Sequence, residues 1–369
     1  MVRSIMCGWL VGLAMSLTLP NVSAEDDASA DVAALGGRCL RDANQETTGV
    51  DLSNTWVTDA DLAKLARLPQ LQSIDLAYTK ITDQGLEHLA ALKNVKALNL
   101  HYAESISDQG IAHLKQWKNL EYLNVRGTKV TSTLFEHIAR MTTLQFLDVG
   151  HSRVNDDLFE LLENLDHLEH LSFGGNKMSG AVLSSLKSLP ALKELSVSGQ
   201  QRTDSGLWSV SVTDFNIGQL SELPQLEVLD LGETNVSDRG IAQLVPLKHL
   251  RTLDLRATRV TSKGMAALSG LPSLRHLKLW KAKGIDDAAV PVFIQMANLE
   301  ILELAETGIT AGGLAQLSAK KGLKQLFIGG VDMTPEQVET FRKALPGCLV
   351  SWWRKPAIQS PEPRRNDGN

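Results

Sequence analysis

Asp51 and Asp75 hold equivalent places in successive segments of the chain, and Asp230 and Asp254 are separated by the same interval. Paired carboxylates suggest three kinds of chemistry: a general acid with its base, a hold on a cation, or a cradle for basic side chains. A second set is aromatic and basic. Tyr122, Phe146 and His170 follow one another at that interval too, with Arg126 and His101 one column over. Tyr78, Tyr102 and His151 lie a few residues further on in their own segments. Exposed aromatics beside an Arg have the composition of a binding hot spot, and aromatic faces also stack on sugar rings. Cross-strand aromatic pairs that simply stabilise a sheet are the alternative. Groups recurring at one interval need a scaffold that itself recurs at that interval.

That scaffold is legible from Val50 to Phe327. Its unit is about 24 residues long, within the periods that mark stacked repeats. Residues 71–94 show it: Leu71, Ile74 and Leu76, then Thr79, Ile81, Thr82-Asp83, Gly85-Leu86, Leu89 and Leu92. Residues 226–249 repeat it with Leu226, Leu229, Leu231, Thr234, Val236, Ser237-Asp238, Gly240-Ile241, Leu244 and Leu247. Ile74 and Leu76, two apart, share one face of a short strand. Leu86, Leu89 and Leu92, three apart, suit the inner stripe of a short helix. Thr82-Asp83 is a helix start, with a side-chain oxygen for free amides and a charge that suits the helix dipole. Proline closes the helix at Leu189-Pro190 and Leu223-Pro224.

A fixed period in this range with an L-x-x-L-x-L core is the signature of a leucine-rich-repeat solenoid. The expected fold is therefore an α/β horseshoe, with an inner parallel sheet of about 11–12 short strands and helices outside. The chain resembles bacterial leucine-rich-repeat proteins with the consensus L-x-x-L-x-L-x-x-T-x-[VI]-[TS]-D-x-G-L-x-x-L-x-x-L. That variant is abundant in secreted planctomycete-type proteins and is similar to the GALA and cysteine-containing subfamilies. The resemblance covers residues 46–345 and rests on structural positions. No F-box-like segment lies ahead of the repeats, so a ubiquitin-ligase role of the GALA type is not expected. Thr79, Thr128, Thr234, Thr258 and Thr307 stand where many such repeats carry an Asn ladder, and are expected to serve the turn backbone.

The expected organisation begins with a cleaved secretory signal over residues 1–24. Its Arg3 is followed by an apolar run from Ile5 to Leu19 and by Val22-Ser23-Ala24. A linker and N-terminal cap follow over 25–48, then the solenoid over 49–348, a cap strand over 349–353 and a disordered tail over 354–369. The location implied is secreted or periplasmic, with no membrane span in the mature chain.

One unit is longer than the rest. It begins at Leu192, and the next starts only at Leu226. It carries the helix-start signal twice, at Thr203-Asp204 and Thr213-Asp214, so residues 204–213 are expected to form an extra loop where strands lead to helices.

Without the signal two cysteines remain, Cys39 and Cys348, at opposite ends of the array. They lie too far apart for a bridge within one chain, and each is a cap residue or a thiol open to another chain. The net charge of the chain is −5; setting aside Arg3 and the tail residues Arg354, Lys355, Glu362, Arg364, Arg365 and Asp367 leaves the body at −8. Nucleic acid and anionic membranes, which need a basic face, are therefore not expected partners.

Read column by column, the inner face carries Asp51, Asp75, Asn99, Asn124, Asp148, Ser172, Ser196, Asp230, Asp254, Lys278, Glu303 and Phe327. Adjacent carboxylates there should repel. A basic strip of Arg256, His276, Lys278, Trp280 and Lys281 is expected near the C-terminal end, as plain surface, as a face for an acidic partner, or packed on Trp352-Trp353.

No G-x-S-x-G, H-E-x-x-H, P-loop or G-x-G-x-x-G occurs. No metal, cofactor or enzymatic activity is expected. The reading is a binding protein for an unidentified protein ligand, held on the concave face by Tyr78, His101, Tyr102, Tyr122, Arg126, Phe146, His151 and His170. A glycan-binding module and a self-associating envelope component are the alternatives.

Overall fold

The computed structural model describes residues 24–354, so the expected signal over 1–24 and the expected tail over 354–369 lie almost wholly outside the described residues. A helix over Ala24–Ala34 leads into strand Arg38–Arg41, which pairs antiparallel with Thr47–Asp51. Every later strand of the main sheet adds in parallel, in chain order, to give fourteen strands. The sheet is longer than the 11–12 strands expected because both caps join it, Arg38–Arg41 at one end and Leu349–Ser351 at the other. Most strands are three residues long, such as Ser73–Asp75 and Thr252–Asp254, and keep a register in which each central Leu or Ile faces its counterpart. Ile74, Leu98, Leu123 and Leu147 are all buried in one core that runs the length of the array.

The outer segments are α-helical where a Thr/Ser-Asp-x-Gly start precedes them, as in Asp83–Leu89 and Asp238–Ala242. They are 3₁₀ over Phe159–Asn164, Gly180–Ser188 and Ile217–Glu222. Apolar residues three apart fit either helix, because positions i and i+3 eclipse in the 3₁₀ form.

The Thr-Asp pair works across repeats. Thr82 Oγ1 accepts from Gln84 N at 3.3 Å, capping its own helix. Asp83 instead accepts from Ser107 N at 2.8 Å and Ser107 Oγ at 2.5 Å, in the next repeat. Asp59 does the same for Thr82, Asp108 for Thr131, Asp214 for Ser237, Asp238 for Thr261 and Asp287 for Thr310. A Gly two residues after an Asp makes room for the preceding repeat's carboxylate. A Cβ on Gly85 would lie 2.5 Å from Asp59 Oδ1, and one on Gly313, in the matching place, would lie 2.0 Å from Asp287 Oδ1.

The threonines expected to form a ladder act within single turns: Thr79 donates to Leu76 O at 2.7 Å and Thr128 to Val125 O at 2.6 Å. Asn176, at the same place in its own repeat, bridges two turns, donating to Phe173 O at 2.9 Å and to Val149 O at 2.8 Å.

The long repeat differs from expectation. Val197 to Val210 spans thirteen positions where the next repeat's Leu231 to Thr234 spans three, so the extra residues end before Val210. They form a hairpin, Gln201–Thr203 paired antiparallel with Gly206–Trp208. Thr203 ends the first strand of the hairpin and Asp204-Ser205 is its turn, whereas Thr213-Asp214 is the regular helix start, with Asp214 holding Ser237. Both cysteines are free and half-buried, and burial pushes the Cys348 thiol upward.

Candidate functional site

The first residues of successive strands form one concave column, because alternate strand residues face the same side. Tyr122, Phe146 and His170 are consecutive in it. The Tyr122 and Phe146 rings stack at 4.2 Å and 16°, and Phe146 and His170 at 4.1 Å and 12°. Glu194 closes the row with its Oε2 3.0 Å from His170 Nδ1. On the other side of Tyr122 the column falls to Ala97, Ser73 and Gly49. The small residues leave a recess of about 390 Å³, walled by Leu40 and Tyr122 and flanked by Asp51, Asp75 and Asn99. That recess was not anticipated from sequence, although the run of small residues at the repeat spacing signals it.

The second group lies where each strand turns outward. One residue there adopts a left-handed backbone in repeat after repeat: Tyr78 (φ 57°), Tyr102 (φ 52°), Gly127 (φ 71°), His151 (φ 50°), Gly175 (φ 76°) and Gly199 (φ 108°). Such a conformation is costly for residues other than glycine, by about 1–3 kcal/mol, and the recurring turn imposes it. Where glycine takes the position, the preceding ring lies across it. A Cβ on Gly127 would sit 2.5 Å from the Tyr102 ring, and one on Gly175 would sit 2.8 Å from His151. Tyr78 and Tyr102 stack at 5.6 Å and 9°, with His101 4.9 Å from Tyr102 and 5.2 Å from Tyr78. The chain has three tyrosines, and all three lie in these two strips.

Arg126 joins the strips. Its Nη1 is 3.7 Å from Asp148 Oδ1, and it lies over Gly150. Burial first, then the Arg126 charge, holds both His101 and His151 below the ordinary imidazole value, against the opposing pull of Asp148. All eight residues singled out in the sequence therefore fall in two neighbouring strips on the N-terminal half of the array.

The acidic pairs are not bare: the repulsion expected between Asp230 and Asp254 is present, but each carboxylate also has hydrogen-bond and cationic partners. Their first oxygens cap the strand ends, Asp75 accepting from Ala77 N at 2.9 Å and Asp230 from Gly232 N at 3.0 Å. Arg256 then bridges the C-terminal pair, with Nη1 3.0 Å from Asp254 Oδ2 and Nη2 3.3 Å from Asp230 Oδ2. Ser198 Oγ donates to Asp230 Oδ2 at 2.5 Å. Burial, then the Asp230 charge, raises the Asp254 carboxyl to about 6 despite Arg256 and Lys278. Asp254 is 2% exposed, so it is not presented to a substrate on the face. At the N-terminal pair Arg38 Nη2 lies 3.2 Å from Asp51 Oδ2, and Asn99 Nδ2 donates to Asp75 Oδ2 at 3.0 Å.

Acidic side chains also meet part of the basic strip, with Lys278 Nζ 3.7 Å from Asp254 Oδ2, whereas Lys281 Nζ lies over the Trp280 ring. His276 Nε2 lies 2.7 Å from Glu303 Oε1, and Trp280 Nε1 donates to Glu306 Oε1 at 3.3 Å. Trp353 covers Gly329 rather than Trp280. Among the described residues no cluster of His, Cys, Asp and Glu has the makings of a metal site, and no helix is long and apolar enough to cross a membrane.

The family described as Leucine Rich repeat matches residues 68–90 and 247–269. An internalin from Listeria monocytogenes superposes with a TM-score of 0.57 at 18% identity, covering 90% of this chain and 95% of that one. The fold is the leucine-rich-repeat solenoid. A leucine-rich-repeat protein of Leptospira interrogans is also similar, with a TM-score of 0.49 at 18% identity over 78% of this chain and 80% of that one. No curated protein matches the sequence. Solenoids of this kind are typically non-catalytic scaffolds that mediate protein–protein interaction. Stacking exposes a long curved surface while the core holds the frame.

Proposed function

We propose that this solenoid is a non-catalytic, extracytoplasmic binding protein that takes a protein ligand on the N-terminal half of its concave face. The observation that carries the reading is the aromatic row Tyr122–Phe146–His170 ending beside an open recess. A rigid stacked ledge next to a cavity is the arrangement of an anchor site, where one partner side chain is buried and flat contacts around it exclude water. The recess is floored by Ser73 and Ala97, walled by the apolar Leu40 and the Tyr122 ring, and has two carboxylates, Asp51 and Asp75, at its side. Asp51 is paired with Arg38, whereas Asp75 meets no cation among the described residues. A lysine or arginine of the partner, with an apolar stem and a positive end, suits both features. The extracytoplasmic location rests on the signal-like run before Glu25.

The test is partner capture from envelope and culture fractions with three proteins. These are the unaltered chain, Ala97→Phe, which fills the recess, and Phe215→Ala, which trims a fully exposed side chain away from the site. A partner retained by the first and third and lost with the second supports the reading. Equal capture by all three refutes it. Amino-terminal sequencing of the exported protein should begin at Glu25.

A further inference from the structure

The hairpin over Gln201–Trp208 does not project freely. It faces back along the turn edge toward repeats well upstream in the chain, and it encloses a cleft of about 620 Å³. Gln201, Thr203, Asp204, Ser205 and Trp208 form one wall. The opposite wall comes from three consecutive repeat turns, with Tyr102 and Glu104, then Gly127 to Lys129, then His151 to Arg153. The volume falls in the range of small-ligand sites, roughly 300–1,000 Å³.

The hairpin is held in shape. Thr203 Oγ1 donates to Gly206 O at 3.0 Å, and Trp208 Nε1 donates to Ser205 Oγ at 3.0 Å, which ties the indole to the tip. Gly206 (φ 115°) and Gly199 (φ 108°) supply the left-handed backbone at the turn and at the root, a conformation glycine takes without steric cost. At Gly127 the floor is covered by the ring of Tyr102 from the preceding turn, which only a glycine admits there.

We infer that this cleft binds a short, uncharged oligosaccharide. Its charged groups balance, Lys129 and Arg153 against Glu104 and Asp204. Among the described residues none of these four side chains forms an ion pair or hydrogen bond, so their donors and acceptors face the cleft uncommitted. Gln201 adds a side-chain amide to the hairpin wall.

Sugar hydroxyls both donate and accept, which matches a mixed lining. Their C–H faces pack against aromatic rings, here the Trp208 indole. A phosphate or an acidic glycan would need an excess of positive charge that the balanced lining does not offer. The site is separate from the concave recess, and the inference does not rest on the protein-ligand reading.

The experiment is titration calorimetry of the full mature chain with defined probes: cellobiose, maltotriose, mannobiose, N-acetyllactosamine and chitotriose. At least one should bind with a Kd between micromolar and millimolar. Trp208→Ala should weaken that binding at least tenfold. Arg153→Ala, on the opposite wall and outside the hairpin, should weaken it at least threefold. Deleting residues 200–209, which restores the regular repeat period, should abolish it, while Tyr122→Ala leaves it unchanged. Thermal melts identify any variant that fails to fold, and Arg153→Ala then decides for Trp208→Ala. The inference is overturned if none of the five probes binds. It is overturned equally if the bound probe is indifferent to Arg153→Ala and the deletion, or if Tyr122→Ala weakens it as much.

Discussion

Gly313→Ala is a one-methyl change in a helix, where alanine ordinarily stabilises by about 0.5–1 kcal/mol. Here it should destabilise. The new Cβ would lie 2.0 Å from Asp287 Oδ1, and the three nearest atoms all belong to Asp287, so that carboxylate must move. Moving it breaks its bonds to Thr310 N at 2.8 Å and Thr310 Oγ1 at 2.6 Å. Hydrogen bonds to a charged group contribute about 1.5–3 kcal/mol each, and the half-exposed position argues for the low end. The loss is about 3 kcal/mol, offset by the helix gain, for a net destabilisation of about 2 kcal/mol. The decisive measurement is a double-mutant cycle by urea denaturation followed by circular dichroism. With Asp287→Ala already present the clash has no partner, so Gly313→Ala should become neutral or stabilising. Additive costs, with Gly313→Ala equally harmful in both backgrounds, would refute the steric link between repeats.

Asp254 yields a pH prediction. Its folded value near 6 lies above the ordinary 3.8, so its ionisation opposes folding. That cost is absent below pH 3.8, grows through the interval and is complete above about 6. At about 1.36 kcal/mol per unit it reaches about 3 kcal/mol. Asp254→Asn should flatten the pH dependence of stability between 4 and 6, and an unchanged slope would contradict the assignment. The imidazoles of His101 and His151 should titrate below 6.5 by NMR, and Arg126→Gln should move both upward; shifts in neither would remove Arg126 as a cause. Phe146→Ala breaks two stacked pairs. Each such pair is worth roughly 0.5 to about 1.5 kcal/mol beyond area burial. The substitution should therefore cost more stability than Tyr122→Ala, which breaks one, and the reverse order in urea melts would argue against the continuous stack.

Periodicity made the frame legible. Leucines at strand and helix positions recur through the chain, and their register placed Tyr122, Phe146 and His170 side by side without any tertiary information. The same arithmetic failed sideways. It put Asp230 beside Asp254 but carried no sign that Arg256 reaches back across Gly232 to hold both. The Thr-Asp pair looked complete as a local cap, so its reach into the following repeat was hidden. Two identical helix-start signals in the long unit were locally indistinguishable. Only Val210 and Val212, by occupying the core, show that Thr213-Asp214 is the one in phase.

The helix-start aspartates Asp59, Asp83, Asp108, Asp214, Asp238 and Asp287 all link in one direction, from an upstream carboxylate to a downstream hydroxyl and amide, and the Ser262–Asp286 link is a reversed exception. The array is therefore polar in its assembly. A chain leaving the ribosome N-terminus first presents each new repeat with a carboxylate already in place, and growth can proceed like the addition of links to a chain with one reactive end. Shortening from the C-terminal side leaves a spare carboxylate facing water at little cost. Shortening from the N-terminal side strips a partner from the first surviving turn, so the two ends of the molecule are not equivalent places at which to cut, fuse or extend it.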